Sequence, residues 1–174
     1  MTPEFSREIE VETVSEAMRS FEIGADETER RRLAGRFRLE TIDRLKAAVT
    51  LQRRAGIIHA EGEIDAAVVQ ACVVTGEPIP AKLRAPFHVR YVADPFAKSG
   101  DEEVELMAED CDTLPIEDGK IDIGELAAET LVLALDPYPR STQADAAMQE
   151  REGERPDEIS AFAALQGLKD KLGG

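Results

Sequence analysis

The sequence predicts an α+β domain: an antiparallel sheet, open or barrel-like, with flanking helices and a C-terminal amphipathic tail helix. Three observations predict it. From Thr41 to Ala93 apolar residues alternate with polar ones at a period near two. On either side lies a segment of helical period opened by a capping-box pattern, Asp26 with Glu29 and Asp122 with Glu125. At 174 residues the chain suffices for one domain with a sizeable core plus tails, and falls short of two full domains. We expect one domain over residues 1–140, a flexible polar linker over 141–158 and the tail helix over 159–172.

The elements follow in order. SREIEVE (6–12) alternates and reads as a short first strand. In ADETERRRLAGRF, Asp26 caps a helix running to Phe37, with Leu33 and Phe37 four apart on its buried face and the arginines mostly outward. LKAAVTLQRR, GIIHAEGEI, AAVVQACVVTG and KLRAPFHVRYV are strands of an antiparallel meander, with breaks expected at Gly56, Gly62 and Gly76. Val49, Leu51, Val69, Ala71, Val73 and Val89 are the face expected to pack on the second helix. Pro80 and Pro86 belong at a strand start, a bulge or an edge, because proline has no N–H to donate into a ladder. A long acidic connection follows, with a short strand over Glu103 to Ala108 and a turn over Glu117 to Lys120. The second helix spans Ile123 to Leu135 and stops before Pro137, since the residue preceding a proline is pushed out of helical geometry. STQADAAMQEREGERPDE (141–158) lacks large apolar residues, as a linker does. ISAFAALQGLKDKL then sets Ile159, Phe162, Leu165 and Leu168 at helical spacing.

The formal net charge is −15, unevenly shared. Residues 1–93 carry 14 basic and 15 acidic side chains, and residues 94–174 carry 7 and 21. A negative field of that strength repels nucleic acid and attracts basic partners. Against it, Arg30 to Arg54 gathers nine Lys or Arg with only Glu40 and Asp43 opposing them. Cys72 and Cys111 are too few and too unpatterned for a disulfide framework and read as reduced thiols. The N-terminus is charged where a signal peptide needs an apolar run, and no stretch approaches bilayer-spanning length, so a cytoplasmic protein with no membrane partner is expected.

Catalytic signatures are missing. His59 and His88 lie in strands with no Ser or Cys motif beside them, and no nucleophile elbow, phosphate loop or dinucleotide fingerprint occurs. Zinc needs closely spaced thiolates, whereas Cys72 is followed three residues on by Thr75, so neither a metal nor another cofactor is expected. The positive segment is the remaining candidate. Arg30, Arg31, Arg32, Arg36, Arg38, Arg53 and Arg54 are candidate RNA-contacting residues, because the planar guanidinium fork suits phosphate oxygens. The plainer alternative is a solvated face balanced by ion pairs with the acidic half. Phe37 is the one aromatic in the segment, so base stacking is not supported. Phe162, Leu165, Leu168 and Lys169 are candidates for contacting a partner groove, the alternative being that the tail docks on its own domain.

The ordered set QACVVTGEPI, GKIDIGELAAETLVLALDPYPR and AFAALQGLK resembles the YceD family, the bacterial large-subunit (23S) ribosomal RNA accumulation proteins, which also has plastid members. The resemblance runs from about Leu45 onward. Asp122, Ile123, Leu126, Glu129, Leu133, Ala134, Leu135 and Pro139 match its helix and proline exit, and Phe162, Leu165, Leu168 and Lys169 its closing motif. Three positions depart: many members carry CxxC where this chain has Cys72-Val73-Val74-Thr75, and Asp136 and Ala161 replace prolines. The resemblance implies a non-enzymatic accessory factor in 23S rRNA synthesis, processing or stability during large-subunit assembly. Its implied partners are precursor 23S rRNA, a large-subunit ribosomal protein, or both. Two alternatives stand: an acidic chaperone of a ribosomal protein with no RNA contact, and a metal-dependent RNA-processing enzyme.

Overall fold

The structure is a computed structural model and describes residues 3–93, 112–144 and 146. In chain order its elements are β1 (Glu8–Glu10), a 3-10 turn (Val11–Thr13), β2 (Arg19–Gly24), α1 (Glu27–Phe37), β3 (Thr41–Arg54), β4 (Ile57–Ala71), β5 (Pro78–Val92), β6 (Asp112–Pro115), β7 (Lys120–Asp122) and α2 (Ile123–Ala134). One five-stranded sheet has the order β2-β3-β4-β5-β6, and β1 pairs with β7 apart from it. All pairings are antiparallel except β5 with β6, which is parallel. The α+β class holds, and closure into a barrel does not: among the described residues β2 and β6 are the two edges of an open sheet. What covers the inner face is helix and the N-terminal segment around Phe5, so the sheet has no need to roll onto itself.

The inner face carries Leu45, Ala47, Val49 and Leu51 of β3, Ile58, Ala60, Ile64, Ala66 and Val68 of β4, and Val89 and Tyr91 of β5. Leu126, Ala127 and Leu131 of α2 and Leu33 and Ala34 of α1 close over it. At roughly 25 cal/mol per Å² of apolar surface removed from water, this cluster supplies the stability that exposed ion pairs cannot. Val49, Leu51 and Val89 face the core as expected, while Val69 and Ala71 are half-buried on the opposite face and Val73 is exposed. The reason is parity. In AAVVQ either valine can begin the inward row, and a slip of one residue exchanges the faces; Val68, paired with Ile42, is the one inside.

Gly62, expected as a break, lies within the continuous strand β4, between Val49 on β3 and Phe87 on β5. A Cβ there would come 2.1 Å from the Ala48 carbonyl oxygen and 2.6 Å from Phe87 Cζ. The glycine answers to close approach, not to a turn. The turn is at Ala55-Gly56, both at positive φ (49° and 84°), the two-residue loop that matches strand twist. Pro80 and Pro86 lie in the stretch of β5 that β6 does not reach, an edge among the described residues, since β6 pairs only from Val89 to Val92.

Asp26 and Glu29 form the reciprocal capping box, each bond 2.8 Å. At α2 only half of one forms. Asp122 Oδ1 accepts from Gly124 and Glu125 N–H, and also from the Arg7 N–H at 2.7 Å, but Glu125 turns away to Arg36. The expected turn at Glu117 to Lys120 is present, with Asp118 and Gly119 at positive φ. The expected strand over Glu103 to Ala108 and the tail helix fall outside the described residues. Of the expected linker, Ser141 N–H donates to Cys72 Sγ and Ala144 is fully buried, so its first residues belong to the domain.

Candidate nucleic-acid interface

The seven arginines singled out in the sequence do not share one surface. Five belong to α1 and its exit, whereas Arg53 and Arg54 end β3, a strand of 14 residues and so about 45 Å long. Most are engaged within the fold. Arg30 donates to the Ala25 carbonyl at 2.7 Å, and Arg31 pairs with Glu27 one helical turn back. Arg36 grips Glu125 through both nitrogens (2.6 and 3.0 Å) and Glu4 at 3.0 Å, tying α1 to α2 and to the N-terminal segment. Hydrogen bonding to Glu125 raises its pKa further. Arg53 donates to the carbonyls of Val14 and Val11, satisfying the turn after β1, and Arg54 donates to Gln52. Arg32 and Arg38 are exposed, Arg38 as the left-handed C-cap of α1. Phe162, Leu165, Leu168 and Lys169 lie outside the described residues.

A different set of cations is brought together by strand register. On the outer face of the sheet, away from the helices, Lys46, Asp65 and Arg84 stand in one row across β3, β4 and β5, and Arg44, Ala67 and Lys82 in the next. Arg44 reaches diagonally to Asp65, with Nη2 at 2.6 Å and Nε at 3.2 Å, and Arg84 lies 3.9 Å from its other oxygen. The Arg44 hydrogen bond, reinforced by the charges of Arg44, Arg84 and Lys46, holds the Asp65 carboxyl below the usual carboxylate range. Three cations thus surround one carboxylate, with Lys82 in the adjoining row. The side chains of Lys46, Lys82 and Arg84 are exposed, and Ala67 beneath them is nearly buried, only 9 % exposed. Reasoning on the sequence passed over this set because its two cation pairs stand 38 residues apart, Arg44 from Lys82 and Lys46 from Arg84. The signal was two cation pairs at i, i+2, Arg44-x-Lys46 and Lys82-x-Arg84, which on strands put both members on one face.

Glu117, Asp118 and Glu129 are exposed around the start and outer flank of α2. Partial burial, and then the charge of Glu125, raise the Glu129 pKa. At the far end of β4, Cys72 is 3 % exposed, and its Sγ accepts from Thr75 N–H at 3.4 Å and from Ser141 N–H at 3.3 Å. Hydrogen bonding from Thr75 above all, then from the Ser141 and Val74 amides, outweighs burial and draws the thiol down to about 6. Asp136, standing where a proline was expected from the resemblance, makes a turn of its own by accepting from Tyr138 N–H, and its carbonyl receives Gln70 Nε2. Among the described residues no three His, Cys, Asp or Glu side chains are grouped to hold a metal ion, and no helix is long and apolar enough to cross a membrane.

These features define a small α+β protein with a cationic cluster on its open sheet face and exposed carboxylates on the helix side. A family model described as Large ribosomal RNA subunit accumulation protein YceD matches residues 60–169, and the chain belongs to that family. The match begins within β4 and runs through the closing motif, so α1 precedes it. The family's name gives the chain a role in accumulation of the large-subunit ribosomal RNA. No curated protein and no solved structure matches the chain.

Proposed function

We propose that the protein is a non-enzymatic accessory factor of large-subunit assembly, acting in the cytoplasm to support 23S rRNA synthesis, processing or stability by binding. The observation that supports this reading is the grouping of exposed Lys46, Lys82 and Arg84 at one end of the outer sheet face, apart from the exposed carboxylates Glu117, Asp118 and Glu129 around α2. Such a protein can face both components of a ribonucleoprotein, precursor 23S rRNA on one side and a basic large-subunit ribosomal protein on the other. Affinity capture of the tagged protein with and without RNase tests it. Enrichment of 23S rRNA, with loss of ribosomal proteins on RNase treatment, is the expected result. Neither rRNA nor ribosomal proteins above background would refute it.

The uncovered carboxylates Glu117, Asp118 and Glu129 favour a second reading, an acidic chaperone of a ribosomal protein without RNA contact. A basic ribosomal protein retained after RNase, with no rRNA in the untreated sample, would select it. Divalent-metal-dependent cleavage of precursor rRNA by the pure protein would replace both with an RNA-processing enzyme.

A further inference from the structure

We infer that the outer sheet face centred on Asp65, and not the arginine-rich helix α1, is the surface that takes the sugar-phosphate backbone of RNA. The inference rests on the RNA-binding reading above and names its site. Lys46 and Arg44 on β3 and Arg84 and Lys82 on β5 flank β4 in two consecutive cross-strand rows. Side chains two residues apart on a strand are separated by about 6.6 Å, and β3 and β5 by about 9.6 Å. An array of that spread is too wide for one small anion and suits several phosphates of a chain. Asp65 cancels one charge of the four and in doing so fixes Arg44, leaving Arg84, 70 % exposed, Lys46 and Lys82 to meet a ligand.

The surroundings set the direction of the contact. One row further along β4 stands Glu63, between Ala48 and Pro86, and beyond it Glu61, so the face turns negative that way. In the other direction the row of Thr41, Val69 and Pro80 is joined by Asp43, the exposed residue of the β3 bulge, which accepts from the Thr41 hydroxyl at 3.0 Å, so the face is bounded by carboxylates on that side too. An RNA backbone therefore crosses the strands over the two cationic rows and does not run along them toward Glu63. No aromatic side chain stands in either row, so the contact is to phosphates, indifferent to sequence and sensitive to salt. On α1, by contrast, Arg30, Arg31 and Arg36 are held by Ala25, Glu27 and the pair Glu4 and Glu125.

The test compares binding of a short single-stranded 23S rRNA fragment by the full chain and by two double variants, Lys46→Gln with Arg84→Gln and Arg32→Gln with Arg38→Gln. Loss of two phosphate contacts lowers the dependence of log K on log salt by about 1.4 and weakens binding about 25-fold at about 0.1 M salt. That is the result expected of the sheet-face pair, with the α1 pair within about twofold of the unaltered protein. If instead the α1 pair loses binding and the sheet-face pair keeps it, the site is wrong while RNA binding stands. If the unaltered protein fails to bind the fragment, RNA binding itself falls, and tighter binding of polyglutamate than of RNA would assign the face to an acidic protein and overturn the inference. Lys82→Gln, an exposed change with no hydrogen bond or ion pair to lose among the described residues, reads the same face should the double variant not fold; it is expected to lower the slope by about 0.7, and an unchanged slope overturns the inference.

Discussion

Replacing Gly62 by alanine tests the packing that brings β3 and β5 into register around β4. The new methyl would stand 2.1 Å from the Ala48 carbonyl oxygen and 2.6 Å from Phe87 Cζ, against an ordinary contact of 3.4 Å or more. The ring of Phe87 is half-buried and can tilt away, but the Ala48 carbonyl belongs to the β3 backbone, which is paired on both sides. Relief therefore requires a local shift of about an ångström between two strands, an overpacking cost of about 1–3 kcal/mol. Alanine regains about 0.5–1 kcal/mol because glycine loses more chain entropy on folding. The balance is a destabilisation centred on about 1 kcal/mol. Chemical denaturation with intrinsic Tyr fluorescence would show a lowered midpoint at unchanged slope, and adding Phe87→Ala should recover little, since the ring is not the obstacle that matters. Equal or greater stability for Gly62→Ala would refute the close-approach argument.

Three further outcomes follow from the charge and thiol chemistry. Arg36→Met, which keeps the stem and removes the link among α1, α2 and Glu4, should cost about 1–2 kcal/mol, and a double-mutant cycle with Glu125→Gln should give a coupling of about 0.5–1.5 kcal/mol; coupling near zero would make the contact a bystander. Arg7, through its hydrogen bonds at 2.7 and 3.1 Å, holds the Glu29 carboxyl below its ordinary 4.5, so this contribution is complete above that value and is lost as pH falls through the lowered one. Denaturation midpoints taken between about pH 6 and about pH 3 should fall less steeply for Glu29→Gln than for the unaltered protein, and parallel profiles would contradict the assignment. In a Cys111→Ser background, thiolate absorbance of Cys72 should titrate near 6 in the folded protein and near 9.0 in denaturant, so that its stabilisation is complete above 9.0 and lost as pH falls through about 6; a native midpoint above the denatured one would show that burial at 3 % exposure wins over the donors.

Much of the fold was legible because local signals and tertiary packing agree. Asp26 and Glu29 announce α1, Asp122 and Pro137 bracket α2, and Gly56 marks the hairpin. What stayed hidden depends on partners distant in sequence. Gly62 looks like a break until Phe87 and Ala48 are seen against it, and the inward row of β4 is undecidable from a run such as AAVVQ until Ile42 selects Val68. β2 was not anticipated, since in RSFEIG only Phe21 and Ile23 show alternation, and its place beside β3 is set by Val49 and Ala47. The cationic segment Arg30 to Arg54 was visible as composition, but composition does not say which guanidiniums are already engaged. Glu4, Glu27, Glu125 and the carbonyls of Val11, Val14 and Ala25 take Arg30, Arg31, Arg36 and Arg53, and the exposed array around Asp65 arises from register alone.

The central claim is that this chain sustains 23S rRNA by binding through its open sheet face. The most direct measurement is the ratio of 23S to 16S rRNA in cells lacking the protein, complemented with either the unaltered chain or Lys46→Gln with Arg84→Gln at matched protein levels. The account predicts a low ratio without the protein, restored by the unaltered chain and not by the double variant. Full restoration by the double variant would contradict the claim for the sheet face, and a ratio indifferent to the protein's absence would contradict the role itself.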